Sequence, residues 1–407
     1  MVTVTIDRLA AGGDGVGRLP DGMAVFVPRT APGDVADIEV VERRARFARG
    51  RIHRLLGEAP ERVAPACRHY VDDRCGGCQL QHLALSAQQE AKQALVRDAV
   101  RRIARREAAE PELARSTRGW RYRTRVTLAV RHGRVGFHRY DDPRDVFALE
   151  DCLIARESLM ALWRRVRAVR LPADATGIVL REDRDGGLHV VVEGGGEPWK
   201  PDTTATAGLD APVSWWWRPA RGAARIVAGP RTGFPALAFE QSNAEEAARI
   251  RLAAVEALGP VAHQVVWDLY GGVGDTARLL AARGAAVWSV DQDRAAVSWG
   301  ERQPAEAAGS VRFLAGRVEE VLHRLPEPRA VVVNPPRTGL HRRVADHLQA
   351  WAARRAGPVC LVYVSCDPAT LGRDLARMPA LSIGRLRVYD LFPQTAHVEA
   401  LAVLEAA

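Results

Sequence analysis

At 407 residues with 47% apolar side chains, the chain is long enough for two or three packed domains and too rich in core-forming residues to be disordered. No run of about 18 uncharged apolar residues occurs, so no membrane span is expected. The start, Met1-Val-Thr-Val-Thr-Ile-Asp7, lacks the basic-then-apolar layout of a secretion signal, and the expectation is a cytoplasmic protein. A formal charge of +9 favours an anionic partner such as nucleic acid. Lys92 and Lys200 are the two lysines, so nearly all of that charge is arginine, which also fits a GC-rich coding bias.

The first 57 residues read as a small β-barrel. Alternating runs (Val2-Thr-Val-Thr-Ile6, Met23-Ala-Val-Phe-Val27, Val35-Ala-Asp-Ile-Glu-Val-Val41) are separated by turns at Gly12-Gly-Asp-Gly15 and Pro32-Gly-Asp34. Barrels of this size are common RNA-binding modules. The segment Asp7-Arg-Leu-Ala-Ala-Gly-Gly-Asp-Gly-Val-Gly-Arg18, with Phe26-Val-Pro and Pro32-Gly-Asp34, resembles a TRAM domain, which implies attachment to an RNA-modifying enzyme.

Residues 58–234 read as a central domain. It opens on Cys67, Cys75 and Cys78 in a loop-rich stretch, with Cys152 later in Glu150-Asp-Cys-Leu-Ile154. Clustered cysteines in a large intracellular chain point to metal before disulfides. Four thiolates can hold zinc or a 4Fe-4S cluster, and spacing alone does not choose. Leu83 to Ala108 has the composition and spacing of a long polar helix. Between Arg97 and Arg144 there are 14 arginines against 6 acids, interleaved with aromatics in Trp120-Arg-Tyr-Arg-Thr-Arg125 and Gly136-Phe-His-Arg-Tyr140. That mixture suits phosphates and unstacked bases, so structured RNA is the expected partner. Further strands are expected at Arg125–Val130, Gly177–Arg181 and Leu188–Glu193, and the run Trp215-Trp-Trp217 reads as a strand packing on a core.

From residue 235 to the end the pattern becomes alternating strands and helices, a doubly wound α/β layout. Strands are expected at Val265–Leu269, Ala286–Val290, Ala330–Val333 and Val359–Val364, with a helix from Asp275 to Arg283. The first strand runs into a glycine turn carrying Gly272 and Gly274, where a ligand can approach backbone and helix N-terminus. Asp291, 17 residues beyond Gly274, ends the next strand and is placed to accept hydrogen bonds from ribose hydroxyls. The turn lacks the full Gly-x-Gly-x-x-Gly fingerprint, which argues for S-adenosylmethionine over NAD. Asn334 ends a third strand and also points at the shared crevice. Cys366 follows the fourth strand on the ligand side, a position suited to a reactive thiolate, whereas Cys360 inside the same strand reads as a small buried hydrophobe.

Taken in order, Phe239-Glu-Gln241-Ser-Asn243, Asp268-Leu-Tyr-Gly-Gly-Val-Gly274, Asn334-Pro-Pro-Arg-Thr-Gly339, Tyr363-Val-Ser-Cys-Asp-Pro-Ala-Thr370 and Asp390-Leu-Phe-Pro-Gln-Thr-Ala-His-Val-Glu399 resemble the RNA 5-methyluridine methyltransferase family. The resemblance implies a class I methyltransferase domain at 235–407 forming 5-methyluridine in ribosomal or transfer RNA. It implies Cys366 as nucleophile on uracil carbon 6, Glu399 as the base, and Gln241, Tyr270, Asp275, Asp291 and Asn334 lining the S-adenosylmethionine site. It also implies that Cys67, Cys75, Cys78 and Cys152 carry a 4Fe-4S cluster. Two positions depart from the family pattern: Asn334 where Asp is usual, and Arg317, in Leu314-Ala-Gly-Arg-Val-Glu319, where a smaller polar residue is usual. Methylation at another base or atom and a non-catalytic RNA-binding role are the alternative functions, discriminated by the need for Cys366 and by donor binding. A monomer is expected.

Overall fold

The computed structural model describes the chain except residues 117, 197–198, 236, 305–307, 355–356 and 407. Its strands form a closed five-stranded barrel, a seven-stranded sheet and an eight-stranded sheet, in chain order but for one strand of the last.

The barrel comprises β1 (Val2–Leu9), β2 (Gly15–Arg18), β3 (Ala24–Val27), β4 (Val35–Arg43) and β5 (Phe47–Gly57), arranged β1-β2-β3-β5-β4. Period-2 alternation sends Val4, Ile6, Val25, Val27 and Ile38 inward. Arg29, in the turn after β3, docks the barrel on the cysteine loop. Its guanidinium lies 3.8 Å from the Tyr70 ring centroid and 4.2 Å from that of Tyr140, and it donates to Tyr70 O and, at 3.0 Å, to Cys75 O.

After the short α1 (Arg68–Val71) comes α2 (Leu85–Ala99). The long helix expected to reach Ala108 stops earlier: residues Val100–Ala104 widen into a π turn, and Arg105 adopts a left-handed φ of 53°. Here α9 (Pro368–Ala376) packs so closely that a Cβ on Gly372 would stand 2.8 Å from Ala99 O.

The middle sheet has β7 (Arg125–Arg131), β8 (Arg134–His138), β9 (Val146–Ala148), β10 (Ala175–Glu182), β11 (Leu188–Gly194), β12 (Val213–Arg218) and β13 (Arg225–Ala228), in the order β13-β12-β11-β10-β7-β8-β9. Helix α3 (Glu157–Val166) covers it, and Trp215 and Trp217 of β12 are buried in the resulting core, as the sequence indicated.

The last sheet carries β14 (Val265–Leu269), β15 (Ala286–Asp291), β16 (Ser310–Ala315), β17 (Ala330–Val333), β18 (Val359–Ser365), β19 (Ser382–Tyr389) and β20 (Glu399–Ala406), in the order β16-β15-β14-β17-β18-β20-β19-β6. Its outermost strand β6 (Glu112–Ala114) comes from far upstream and pairs parallel to β19. Helices α4 (Ala244–Ala257), α5 (Asp275–Ala282), α6 (Arg294–Glu301), α7 (Val318–Val321), α8 (Arg342–Arg354) and α9 accompany the strands. One core lies between the sheet and α2, α8 and α9. The other lies under α4 and α5, and Cys67, Tyr70 and Cys78 belong to it along with Val362, Val364 and Phe392. Strands β16 to β18 run parallel to β14, but β20 is antiparallel to both β18 and β19. Its first residue therefore stands at the edge where the parallel strands end.

Candidate functional site

A cleft of about 990 Å³ opens at the carboxyl ends of the parallel strands, lined among others by Gln241, Tyr270, Gly272, Asp275, Asn334 and Glu399. Its floor is the turn between β14 and α5. Gly271 N–H donates to Val290 O at 3.0 Å, and Gly272 N–H to Asp291 Oδ2 at 2.9 Å. The glycines are required here. A Cβ on Gly271 would meet Ser289 Oγ at 2.3 Å, and Gly274, at φ +82°, would thrust one to 2.4 Å from the Phe313 ring. Asp291 thus braces the turn from behind. Its other oxygen accepts Asp293 N–H at 2.8 Å, and neither Asp291 nor Gly274 lines the cleft itself.

Asp268, at the end of β14, was not singled out from sequence, though its motif was. It is fully buried, and desolvation pushes it up to about 7 against the Ser289 hydroxyl that donates to it at 3.2 Å. Asp275 is not free. Arg184, in the turn between β10 and β11, donates to both its oxygens at 2.9 and 3.1 Å and also pairs with Glu240 at 2.6 Å. Burial works to raise Asp275, but Arg184 and Arg251 hold its carboxyl below the usual range. Nothing in the local sequence around Arg184 marks it, because the contact joins two separate sheets.

Cys366 follows β18 directly, and Ser365 is paired with Ala400, so the next residues outward, Cys366 and Glu399, lie side by side. Glu399 is buried, accepts one hydrogen bond from Gln241 Nε2 at 3.3 Å, and its Oε2 has no hydrogen-bond partner among the described residues. Desolvation pushes it up to about 8, with Gln241 and Arg337 opposing. Burial also pushes the Cys366 thiol up to about 11, the Glu399 charge adding to the rise and Arg337 working against it. Arg337 is thus near enough to oppose both rises by its charge, and its Nη2 is 3.3 and 3.4 Å from the two ring nitrogens of His397. It lay inside a recognised motif, but only the fold reveals that it sits beside the pair.

The four cysteines of the central segment line one cavity, and all are free thiols. Burial pushes Cys75 up to about 12 and raises Cys78 and Cys152 as well. His69, which also lines this cavity, has both ring nitrogens engaged, with Asp73 at 2.7 Å and with Glu150 N–H at 3.1 Å. Among the described residues no three His, Cys, Asp or Glu side chains converge on a position for a single ion. No helix among them is long and apolar enough to cross a membrane.

Family models match the chain at both ends: the TRAM domain over residues 1–53, and tRNA (Uracil-5-)-methyltransferase over residues 307–407. The chain is 32% identical over 445 residues to the 23S rRNA (uracil(1939)-C(5))-methyltransferase RlmD of Halomonas elongata, covering 99% of this chain and 89% of that protein. An uncharacterised RNA methyltransferase of Streptomyces coelicolor is 32% identical over 455 residues, covering 99% and 92%. Among solved structures, the Pyrococcus abyssi tRNA (uracil-54, C5)-methyltransferase in complex with S-adenosyl-L-homocysteine superposes with a TM-score of 0.75 at 25% identity, over 99% of each chain.

Proposed function

Because this chain belongs to the RNA uracil-C5 methyltransferase family, we propose that it methylates carbon 5 of a uridine in structured RNA, using S-adenosylmethionine and a covalent cysteine step. The observation that carries this reading is the pairing of β18 with β20, which sets Cys366 beside Glu399, a residue that lines the strand-end cleft. Ribosomal RNA is the favoured substrate, since the relatives named for a substrate at this level of identity act on 23S rRNA.

Uracil carbon 5 is a weak nucleophile. Cys366, its thiol proton given up to solvent, adds to carbon 6 as the thiolate and drives electron density onto carbon 5, which attacks the donor's methyl carbon; the C5–CH3 bond forms as the sulfonium S–CH3 bond breaks and the thioether departs. Glu399 then takes the carbon 5 proton, and the electrons of that C–H bond rebuild the C5–C6 double bond and expel Cys366. A base raised to about 8 has real proton affinity near neutral pH, which suits the task. Arg337 favours the anionic forms of both residues. Gln241, Tyr270, Gly272 and Asn334 form the donor-side wall; Asn334 contributes hydrogen-bonding capacity without the charge of the Asp usual there. Asp275 and Asp291 serve this wall through their bonds to Arg184 and to the glycine turn. The uracil must leave its stack to reach the cleft.

The cysteine site fits a 4Fe-4S cluster held by Cys67, Cys75, Cys78 and Cys152. The donor set is all thiol, which selects zinc or iron–sulfur, and the one nearby imidazole is engaged elsewhere. Such a group would supply structural cross-linking here, because methyl transfer needs no redox step. The three units proposed are thus an RNA-binding barrel (1–57), a cysteine-bearing RNA surface (58–234) and the catalytic domain (235–407).

Nucleoside mass analysis of ribosomal and transfer RNA, from cells with and without the gene, tests the function. Loss of 5-methyluridine from one RNA, restored by the natural chain and not by Cys366→Ala, is the expected result. Methylation sustained by Cys366→Ala would remove the covalent route.

A further inference from the structure

Glu399 has few bonds of its own, so its position is set by the backbone that delivers it. That backbone, residues 390–398, is held by side chains from far upstream. Lys92 of α2 is buried to 1% exposure, and its Nζ donates to Asp390 Oδ1 at 2.6 Å and to Phe392 O at 3.0 Å. Gln89 Nε2 donates to the other Asp390 oxygen at 3.2 Å. Gln88 Nε2 donates to Gln394 Oε1 at 3.0 Å, and Gln394 N–H returns to Gln88 Oε1 at 2.8 Å.

The cysteine loop holds the same segment from its other side. The backbone N–H groups of Gln79 and Leu80 donate to Gln394 O at 3.1 and 3.0 Å. The Gln79 side chain accepts Ala396 N–H at 3.2 Å and donates to Gly76 O at 2.8 Å. Gln394 is kept at φ 70°, a left-handed conformation that a non-glycine residue retains only where its surroundings over-determine it. The choice of cation is also informative. In a chain whose positive charge is almost all arginine, a lysine stands at this buried spot, where a compact ammonium reaches a carboxylate and a carbonyl at once and a planar guanidinium would need more room.

We propose that Lys92 and Gln79 are positioning residues for Glu399, so that α2 and the cysteine loop together govern removal of the carbon 5 proton. This rests on the assignment of Glu399 as the base. Thiol addition and methyl transfer occur before that base is needed, so displacing the loop stalls the reaction late. The methylated uracil then stays bonded through carbon 6 to Cys366 Sγ, with its carbon 5 proton still in place.

The test compares the natural chain with Glu399→Gln, Lys92→Met and Gln79→Ala, each given substrate RNA and methyl-labelled S-adenosylmethionine and resolved under denaturing conditions. Label is expected in a denaturant-stable protein–RNA adduct for all three variants, with turnover of Gln79→Ala slowed on the order of tenfold, in keeping with the effect of small misplacements. Affinity for S-adenosylhomocysteine should be unchanged in Gln79→Ala, which leaves the buried Lys92–Asp390 pair intact and decides the matter if Lys92→Met does not fold. Adduct in Glu399→Gln and in neither of the others would overturn the positioning role and leave the base assignment standing. No adduct in Glu399→Gln would overturn the base assignment and the inference with it.

Discussion

Cys366 and Glu399 are two adjacent groups that both resist ionisation. Cys366 is raised by burial first and by the Glu399 charge second, so neutralising Glu399 must make the thiolate easier to form. Above pH 8, where the Glu399 carboxylate is ionised, Glu399→Gln is therefore expected to speed alkylation of Cys366 by iodoacetamide, while abolishing turnover; an unchanged alkylation rate would show that the two charges do not communicate. Arg337→Ala removes the opposing charge and should slow alkylation in the same assay. At this scale the sequence was informative where a residue's neighbours in the chain form a motif. Cys366 and Glu399 each stood out as candidates from their own motifs, and the strand pairing makes them neighbours. Arg184 did not stand out, because its role exists only where the turn after β10 meets the start of α5.

The strand–turn–helix unit of β14 and α5 was legible because its residues have few alternatives: an apolar run, three glycines and a helix start. Gly274→Ala puts a side chain at φ +82° against Phe313, with backbone strain of about 1–3 kcal/mol. S-adenosylhomocysteine affinity, read by calorimetry, should fall markedly, with little change at the cysteine cavity; unchanged affinity would mean that the turn does not shape the donor site. Elements whose limits depend on packing were less legible. Helix α2 ends at Ala99 as α9 crowds its last turn, and β6 is three residues long and finds its partner, β19, only in the folded chain. No local period encodes either.

At the scale of the whole molecule, the cysteine cavity is a junction. Cys67, Cys75 and Cys78 come from the loop that Arg29 of the barrel turn grips, Cys152 comes from the stretch between β9 and α3, and Cys67 and Cys78 share a core with the eight-stranded sheet. Sequence spacing could gather the four cysteines, yet it could not show that they tie three sheets together. Anaerobically purified protein is expected to contain iron and sulfide. Cys152→Ser is expected to lose both and to lower the thermal midpoint; a natural chain free of iron and sulfide would remove the cluster from this account.

The reversed strand β20 leaves a mark on how this chain can change over generations. Seven residue pairs, from Val359–Ala406 to Ser365–Ala400, fix the distance from the far end of β20 to Glu399 as a ruler would. Inserting one residue within that ladder turns the carboxylate to the opposite face of the sheet. Descendants of this chain are therefore free to vary in length at turns such as the one joining β12 to β13, while β20 must keep its count for the cysteine and the glutamate to remain neighbours.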